Sequence, residues 1–386
     1  MPFNGRSVAD QRLDFVRLAS EGTRSVSELS RMFGISRQAG YRWLKLYREQ
    51  GAAAVVVERS RRPHHSPRLT DSSISNAIVD LRRQWPDWGA AKLRRVLIRH
   101  HPGWAYISRS TVHRILVREG LVRRQDRHAQ AWGEFERSAP NELWQMDFKG
   151  PKGFRRRPGP LSVLDDHSRY LLALEHLENG RVDAVRGCLR RTFERSGLPD
   201  AMLTDHGTPW WNANSPWGWT ELSVWLMRQG IRILLSGFRH PQTQGKVERM
   251  HGVLCRAIRR RGGDADEQNW LDRFREEYNL VRPHEALDMQ TPAERWERSK
   301  REYQAVPKPW QYAASQQVER VNESGRIRWR GKWFDLSRAL AGELVGVEMI
   351  AGRTLVYFCN TPLTELEPET GSSIPLPIDP FRSLQC

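Results

Sequence analysis

Cysteine is scarce. The 386 residues hold four, Cys188, Cys255, Cys359 and Cys386, and no two form a CxxC pair. That argues against a disulfide framework and against a cysteine-based zinc site. Long apolar runs are also missing. None approaches the roughly 18 residues that a membrane helix needs. The opening MPFNGRSVADQRLDF lacks the apolar stretch of a signal peptide. The expectation is a soluble, cytoplasmic chain with no membrane partner. Apolar residues themselves are not lacking. They make up 39% of the chain, with 16 Trp, which is enough for real cores and excludes a disordered chain. At roughly 100–200 residues per domain, two to four domains fit.

Acid is in deficit. There are 62 Lys and Arg against 45 Asp and Glu, a formal charge of +17. The excess is local. Residues 1–140 carry 26 basic and 13 acidic side chains, residues 141–300 carry 26 and 22, and residues 301–386 carry 10 of each. Solubility alone does not explain an excess confined to one third of the chain. A polyanion, most often nucleic acid, does.

The basic third reads as two helical units. In residues 1–57, a helix from Val8 to Ser20 precedes SVSELSRMFGISRQAGYRWLKLYREQG. Ser25 or Ser27 caps a short helix, Gly34 makes the turn, and Ser36 caps a basic helix closed by Gly51. This is a helix-turn-helix pattern. Ile35, Tyr41, Leu44 and Leu46 are assigned to packing, and Arg37, Gln38, Arg42 and Lys45 to DNA. Arg and Gln can bond bidentately to base edges. Residues 58–70, ERSRRPHHSPRLT, read as a basic linker along phosphates. Residues 71–125 repeat the theme, with three helices and Arg109, His113 and Arg114 facing outward. This second unit either reads DNA as well or packs on the first.

After a linker at 126–140 the pattern changes. In residues 141–300, strands LWQMDF, AMLTD and IRILLS and a pair of strands around a turn in LSVLDDHSRYLLALEHL alternate with helical segments, which indicates an α/β domain. Residues 301–386 carry alternating segments at 326–336 and 343–360 around glycines. They predict a small β-barrel or meander with a loose tail from Pro368.

Three acids stand at element ends: Asp147, Asp205 and Glu248. Ligands of open α/β sheets bind at the carboxyl ends of strands. Converging carboxylates repel one another, and divalent metal offsets this. Two Mg²⁺ or Mn²⁺ ions about 3.5–4 Å apart can serve both the attacking and the leaving oxygen of an in-line displacement. No Ser-His-Asp or Cys-His pattern competes. Phosphodiester hydrolysis or transfer is the implied chemistry. Val247, Met250, Leu254 and Ile258 share the inner face of the Glu248 helix, which leaves Glu248 at its rim. Lys246, Arg249, Arg256 and Arg259–Arg261 give that helix charge for a DNA backbone, or a solvated face.

From about Phe135 to Trp296 the chain resembles the integrase-core transposases of bacterial insertion sequences, relatives of retroviral integrases. The stretches that carry the resemblance are NELWQMDFKG, VLDDHSRY, LTDHGTPW, GIRILLSGFRHPQTQGKVERMHGVL and EYNLVRPHEALDMQTPAERW. It implies a ribonuclease-H-like core at 141–300 behind a tandem helix-turn-helix, with a small C-terminal β domain. It also implies that Asp147, Asp205 and Glu248 are the Asp-Asp-Glu metal triad. The activity implied is a bacterial transposase, nucleoid-associated when on DNA. It binds the terminal inverted repeats of its own element, cuts the strand and joins the 3′-hydroxyl to target DNA. Pairing two ends requires a dimer or more. The rivals are a metal nuclease that does not join and a DNA-binding regulator with an inactive core.

The chain departs from the family in places. His206 and Gln244 stand where Asn is usual, and 42 residues separate Asp205 from Glu248, more than in many relatives. The extra length is WWNANSPWGWT, read as a surface loop or as a DNA-stacking or dimer contact. Asp165 and Asp166 read as turn caps, with an auxiliary metal role as the alternative. Arg282 and His284 contact either phosphate or neighbouring helices.

Overall fold

The computed structural model describes residues 7–57, 70–122, 136–150, 154, 158–212, 214–215, 217–236, 245–261 and 268–376. Most of the linkers expected at 58–70 and 126–140, Gln244, and residues 377–386 with Cys386 lie outside these. The chain divides into two compact units, Met1–Asp71 and Ser72–Cys386.

The first unit is helical: α1 (Val8–Ser20), α2 (Val26–Met32), α3 (Arg37–Gln50) and α4 (Ala52–Val56). Local chemistry sets the boundaries. Ser7 with Asp10 and Ser25 with Glu28 form reciprocal capping boxes, and the Ser36 hydroxyl accepts from the Ala39 amide. Gly34, at φ +65°, turns the chain between α2 and α3, where a side chain would be strained. Phe15, Val16, Leu29, Leu44 and Val55 are buried, and Trp43 meets Phe15 edge-on at 5.8 Å. Tyr41 corrects its packing assignment. It is 58% exposed, on the outer side of α3.

The second unit opens with α5 (Ser72–Gln84), α6 (Ala90–His100) and α7 (Arg109–Arg118, capped by Ser108). Trp85 and Trp88 stack at 4.5 Å inside their own apolar cluster. These helices share a compact unit with the α/β part. Asp87 pairs with both Arg260 and Arg282, and Arg99 pairs with Glu294.

The α/β part is built on β1 (Trp144–Phe148), β2 (Leu161–Asp165), β3 (Leu171–Glu175), β4 (Ala201–Thr204) and β5 (Arg232–Leu235). Their order is β3-β2-β1-β4-β5. The first three strands are antiparallel, and β4 and β5 run parallel to β1. The sheet is covered on both faces, so its strands read as apolar runs instead of alternating. Trp144, Met146 and Val163 pack with α8 (Val182–Ser196) and α9 (Glu221–Arg228). Leu164, Leu171 and Leu174 pack with α10 (Gly245–Arg261) and α11 (Gln268–Glu276). A short π turn (Glu277–Val281) and α12 (Pro292–Arg295) follow.

The C-terminal region is antiparallel. One sheet has the order β12-β11-β10-β9-β6, and β7 (Arg326–Trp329) pairs with β8 (Lys332–Asp335) in a hairpin. Its strands are β6 (Gln317–Arg320), β9 (Leu344–Ile350), β10 (Arg353–Phe358), β11 (Thr361–Glu367) and β12 (Ser372–Pro375). The tail is ordered further than expected, because β12 pairs with β11 from Ser372 to Pro375. Among the described residues no helix is long and apolar enough to cross a membrane.

Candidate active site

Strand register brings two of the three acids together. On β1, Gln145 lies beside Leu203 of β4. One further pleat in this parallel pair sets Asp147 beside Asp205, just past the end of β4. The third acid, Glu248, is in the first turn of α10. That helix is tied to β1 at its start, where the Val247 amide donates to Gln145 Oε1 at 3.3 Å. Val247, Met250 and Leu254 are buried and Ile258 packs beside them, which leaves Glu248 exposed at the rim.

Asp205 and Glu248 are both close enough to act on the charge of Asp147. The Asp147 carboxyl is pushed up to about 7, first by burial, then by Asp205 and, more weakly, by Glu248. Among the described residues no group of three or more His, Cys, Asp or Glu side chains is placed to hold a metal ion. Asp147 thus sits in unfavourable negative charge from Asp205 and Glu248.

One neighbour, His251, was not singled out from sequence. His251, one turn after Glu248, is buried. Its Nδ1 is 3.7 Å from Asp147 Oδ2 and its Nε2 is 2.9 Å from Ser162 Oγ. Burial, helped by Lys149, lowers its pKa to about 3, so the ring is neutral. The three-residue spacing in Glu-Arg-Met-His was the available signal, since it places both side chains on one helix face. Asp205 Oδ1 accepts from the Gly207 amide at 2.9 Å and from the Trp210 indole. His206 meets Trp211 edge-on.

Lys246 departs from its assignment to DNA. Its ammonium is 2.6 Å from Asp166 Oδ2, with side-chain exposures of 14% and 0%. Asp166 also accepts from Gln145 Nε2 at 2.8 Å and from the Arg137 amide at 2.9 Å. The lysine is thus part of an internal network that fastens the α10 start to β1 and the β2 end. Asp165 caps its turn, accepting from the amides of Ser168 and Asn141. Arg282 and His284 are packing residues. Arg282 is 5% exposed, lies over Trp88 and pairs with Asp87, while His284 meets Tyr278 edge-on at 4.8 Å.

The other DNA candidates stand in solvent. Arg37, Gln38, Arg42 and Lys45 are exposed on α3, Arg109, His113 and Arg114 on α7, and Arg249 and Arg256 on α10.

Parts of the chain match known domain families. A helix-turn-helix domain family matches residues 11–64, and a homeodomain-like domain family matches 39–116. Integrase core domain families match residues 137–241 and 229–292. The chain is 23% identical over 349 residues to the transposase for transposon Tn552 of Staphylococcus aureus, covering 75% of this chain and 67% of that one. It is 24% identical over 262 residues to a 31.7 kDa protein of insertion element IS407 from Burkholderia multivorans, covering 63% and 86%. Among solved structures, a chain of a simian T-cell lymphotropic virus intasome aligns at 14% identity with a TM-score of 0.36, over 75% of this chain and 99% of that one. The HTLV-2 integrase catalytic core in complex with magnesium aligns at 13% identity with a TM-score of 0.32, over 41% and 97%.

Proposed function

We propose that this chain, an integrase-core protein with helix-turn-helix domains and relatives from a transposon and an insertion element, is a DNA transposase. It binds the terminal inverted repeats of its own element, cuts a strand at the element end and joins that end to target DNA. The observation that carries this reading is the shared charge of Asp147, Asp205 and Glu248 at one end of the sheet. The exposed residues of α3 and α7 supply contacts to the ends.

The donor set fits Mg²⁺ or Mn²⁺. Asp147, Asp205 and Glu248 offer hard oxygens, and the carboxyl of Asp147 lies in a field of like charge that a cation would relieve. When bound, one or two such ions supply charge neutralisation at the scissile phosphate and lower the cost of ionising the attacking oxygen. The chain's own residues do the rest. Asp147 and Asp205 are fixed by adjacent strands. Glu248 is carried on a helix anchored by Lys246, Asp166 and Gln145. Neutral His251 borders Asp147 without competing for a proton. Positioning and charge are the main sources of catalysis in phosphoryl transfer. Water serves as nucleophile in cutting, and the released 3′-hydroxyl in joining. Two element ends are held together by at least two copies of the chain. The C-terminal sheet and its hairpin share an apolar cluster that is continuous with the α/β part, and we read them as a small barrel-like module.

The test is incubation with labelled element-end DNA, a supercoiled plasmid and Mg²⁺ or Mn²⁺, beside Glu248→Gln. Joined product from the parent, falling on the order of 10³-fold or more in the variant, is expected. Cutting without joining gives the nuclease instead. Binding with neither step under both metals gives a regulator.

A further inference from the structure

The tryptophan-rich segment after Asp205 has no part in the mechanism so far, and its side chains do not stand out as a stacking surface. Trp210 and Trp219 are 2% and 5% exposed. Trp211 lies edge-on to Trp219 at 5.2 Å and covers Gly218 so closely that a Cβ there would sit 1.8 Å from the indole. Thr220, the N-cap of α9, donates its hydroxyl to the Trp210 carbonyl at 3.3 Å. The segment thus folds onto itself and onto the head of α9.

Its inner end reaches the acids. The Trp210 indole N–H donates to Asp205 Oδ1, which also accepts from the Gly207 amide. The same indole stacks on Phe148, the residue after Asp147, with centroids 5.5 Å apart and 22° between planes. Among the described residues no donor reaches Asp205 Oδ2. One buried ring therefore touches Asp205 directly and braces the neighbour of Asp147.

We propose that Trp210 is a positioning residue for metal binding: it commits Asp205 Oδ1 to the protein, leaves Oδ2 for the cation, and sets the spacing of the two strand-borne acids. The inference rests on Asp205 being a metal ligand. A carboxylate without these donors rotates about its terminal bond, which is broad and soft. Groups that orient a ligand in this way typically change metal affinity 10–100-fold when removed. Trp210→Phe keeps a ring against Phe148 and deletes the donor. Trp225→Phe is the matched control, since Trp225 stacks on Phe193 and makes no bond to either acid.

The experiment titrates the full chain with Mn²⁺ alone and follows free Mn²⁺ by electron paramagnetic resonance, for the parent, Asp205→Asn, Trp210→Phe and Trp225→Phe. The expected result is loss of the site in Asp205→Asn, roughly tenfold weaker binding in Trp210→Phe, and parental binding in Trp225→Phe. Parental binding by Asp205→Asn would remove Asp205 as a ligand and the proposal with it. Loss in Asp205→Asn with Trp210→Phe within twofold of the parent would overturn the positioning role alone. Equal weakening in both tryptophan variants would also overturn it, because general loosening would then be the cause. Should Trp210→Phe fail to fold, 3-benzothienylalanine at position 210 replaces the N–H by sulfur and keeps the bicyclic shape, and the same outcomes apply.

Discussion

On α3, Arg37, Gln38, Arg42 and Lys45 stand in solvent; around the start of α10 and behind its far end, Lys246 and Arg282 are turned inward against carboxylates. The two regions carry similar charge and use it differently. Among the described residues the one ion pair recorded for the row on α3 is Lys45 with Glu49 at 3.8 Å, and an exposed pair of that kind contributes little. Its charge remains available to a polyanion. At α10, Lys246 meets a fully buried Asp166, and Arg282 lies between Trp88 and Asp87. There the charge fixes internal geometry. A basic residue near a candidate site is therefore evidence for nucleic-acid contact only once its counter-ion has been sought.

The largest effect that sharpens this contrast is on stability. Burial lowers the pKa of Lys246, and the Asp166 carboxylate opposes that shift. Lys246→Met keeps the stem and deletes the charge, which leaves Asp166 buried without its ammonium partner. Breaking one side of such a pair typically costs ~3–5 kcal/mol. Urea denaturation is expected to show a loss of that order, partly restored by adding Asp166→Asn. A loss under 0.5 kcal/mol, the usual range for a surface substitution, would return Lys246 to the solvated class.

Next in size is a pH effect at Asp147. Its carboxyl titrates near 3.8 ordinarily and at about 7 here, pushed up first by burial and then by Asp205. The folded chain therefore holds a proton that the unfolded chain has lost between those values. Stability falls as pH rises through that window. The difference is on the order of 4 kcal/mol at most. Asp147→Asn removes the titration. In buffer free of divalent cations, the variant is expected to be the more stable protein at pH 8 and to lack the decline between pH 4 and 7. An unchanged decline would mean that Asp147 does not carry it.

Local features of this chain are legible in the sequence, and long-range pairings are not. Ser25 and Ser36 announce helix starts because a cap acts within three residues. The places of Asp147, Asp205 and Glu248 follow from strand ends and one helix phase. Lys246 misleads because Asp166 lies 80 residues earlier and only the fold joins them. Tyr41 misleads because α3 buries Leu44 and lays Trp43 on Phe15, which turns Tyr41 to water. Trp210 reads as one member of a Trp-rich stretch until its N–H is seen on Asp205. Strand β12 goes unread because SSIP has no alternation, and its partner β11 supplies the order.

The smallest effect separates the two basic regions most cleanly. Arg42 is exposed, and among the described residues no ion pair is recorded for it. Arg42→Ala is expected to leave the denaturation midpoint within about 0.5 kcal/mol of the parent. Its effect falls on binding. A contact to a base edge would cost about 1–3 kcal/mol on element-end DNA and relax preference at one position; a phosphate contact would weaken all sequences alike and reduce the salt slope by about one. Arg282→Ala is expected to do the reverse, lowering stability through Asp87 and Trp88 with no change in salt slope. Fluorescence anisotropy at several salt concentrations, paired with urea denaturation, reads both quantities for both variants. If Arg282→Ala lowered the salt slope and Arg42→Ala did not, the division between outward and inward charge would be reversed.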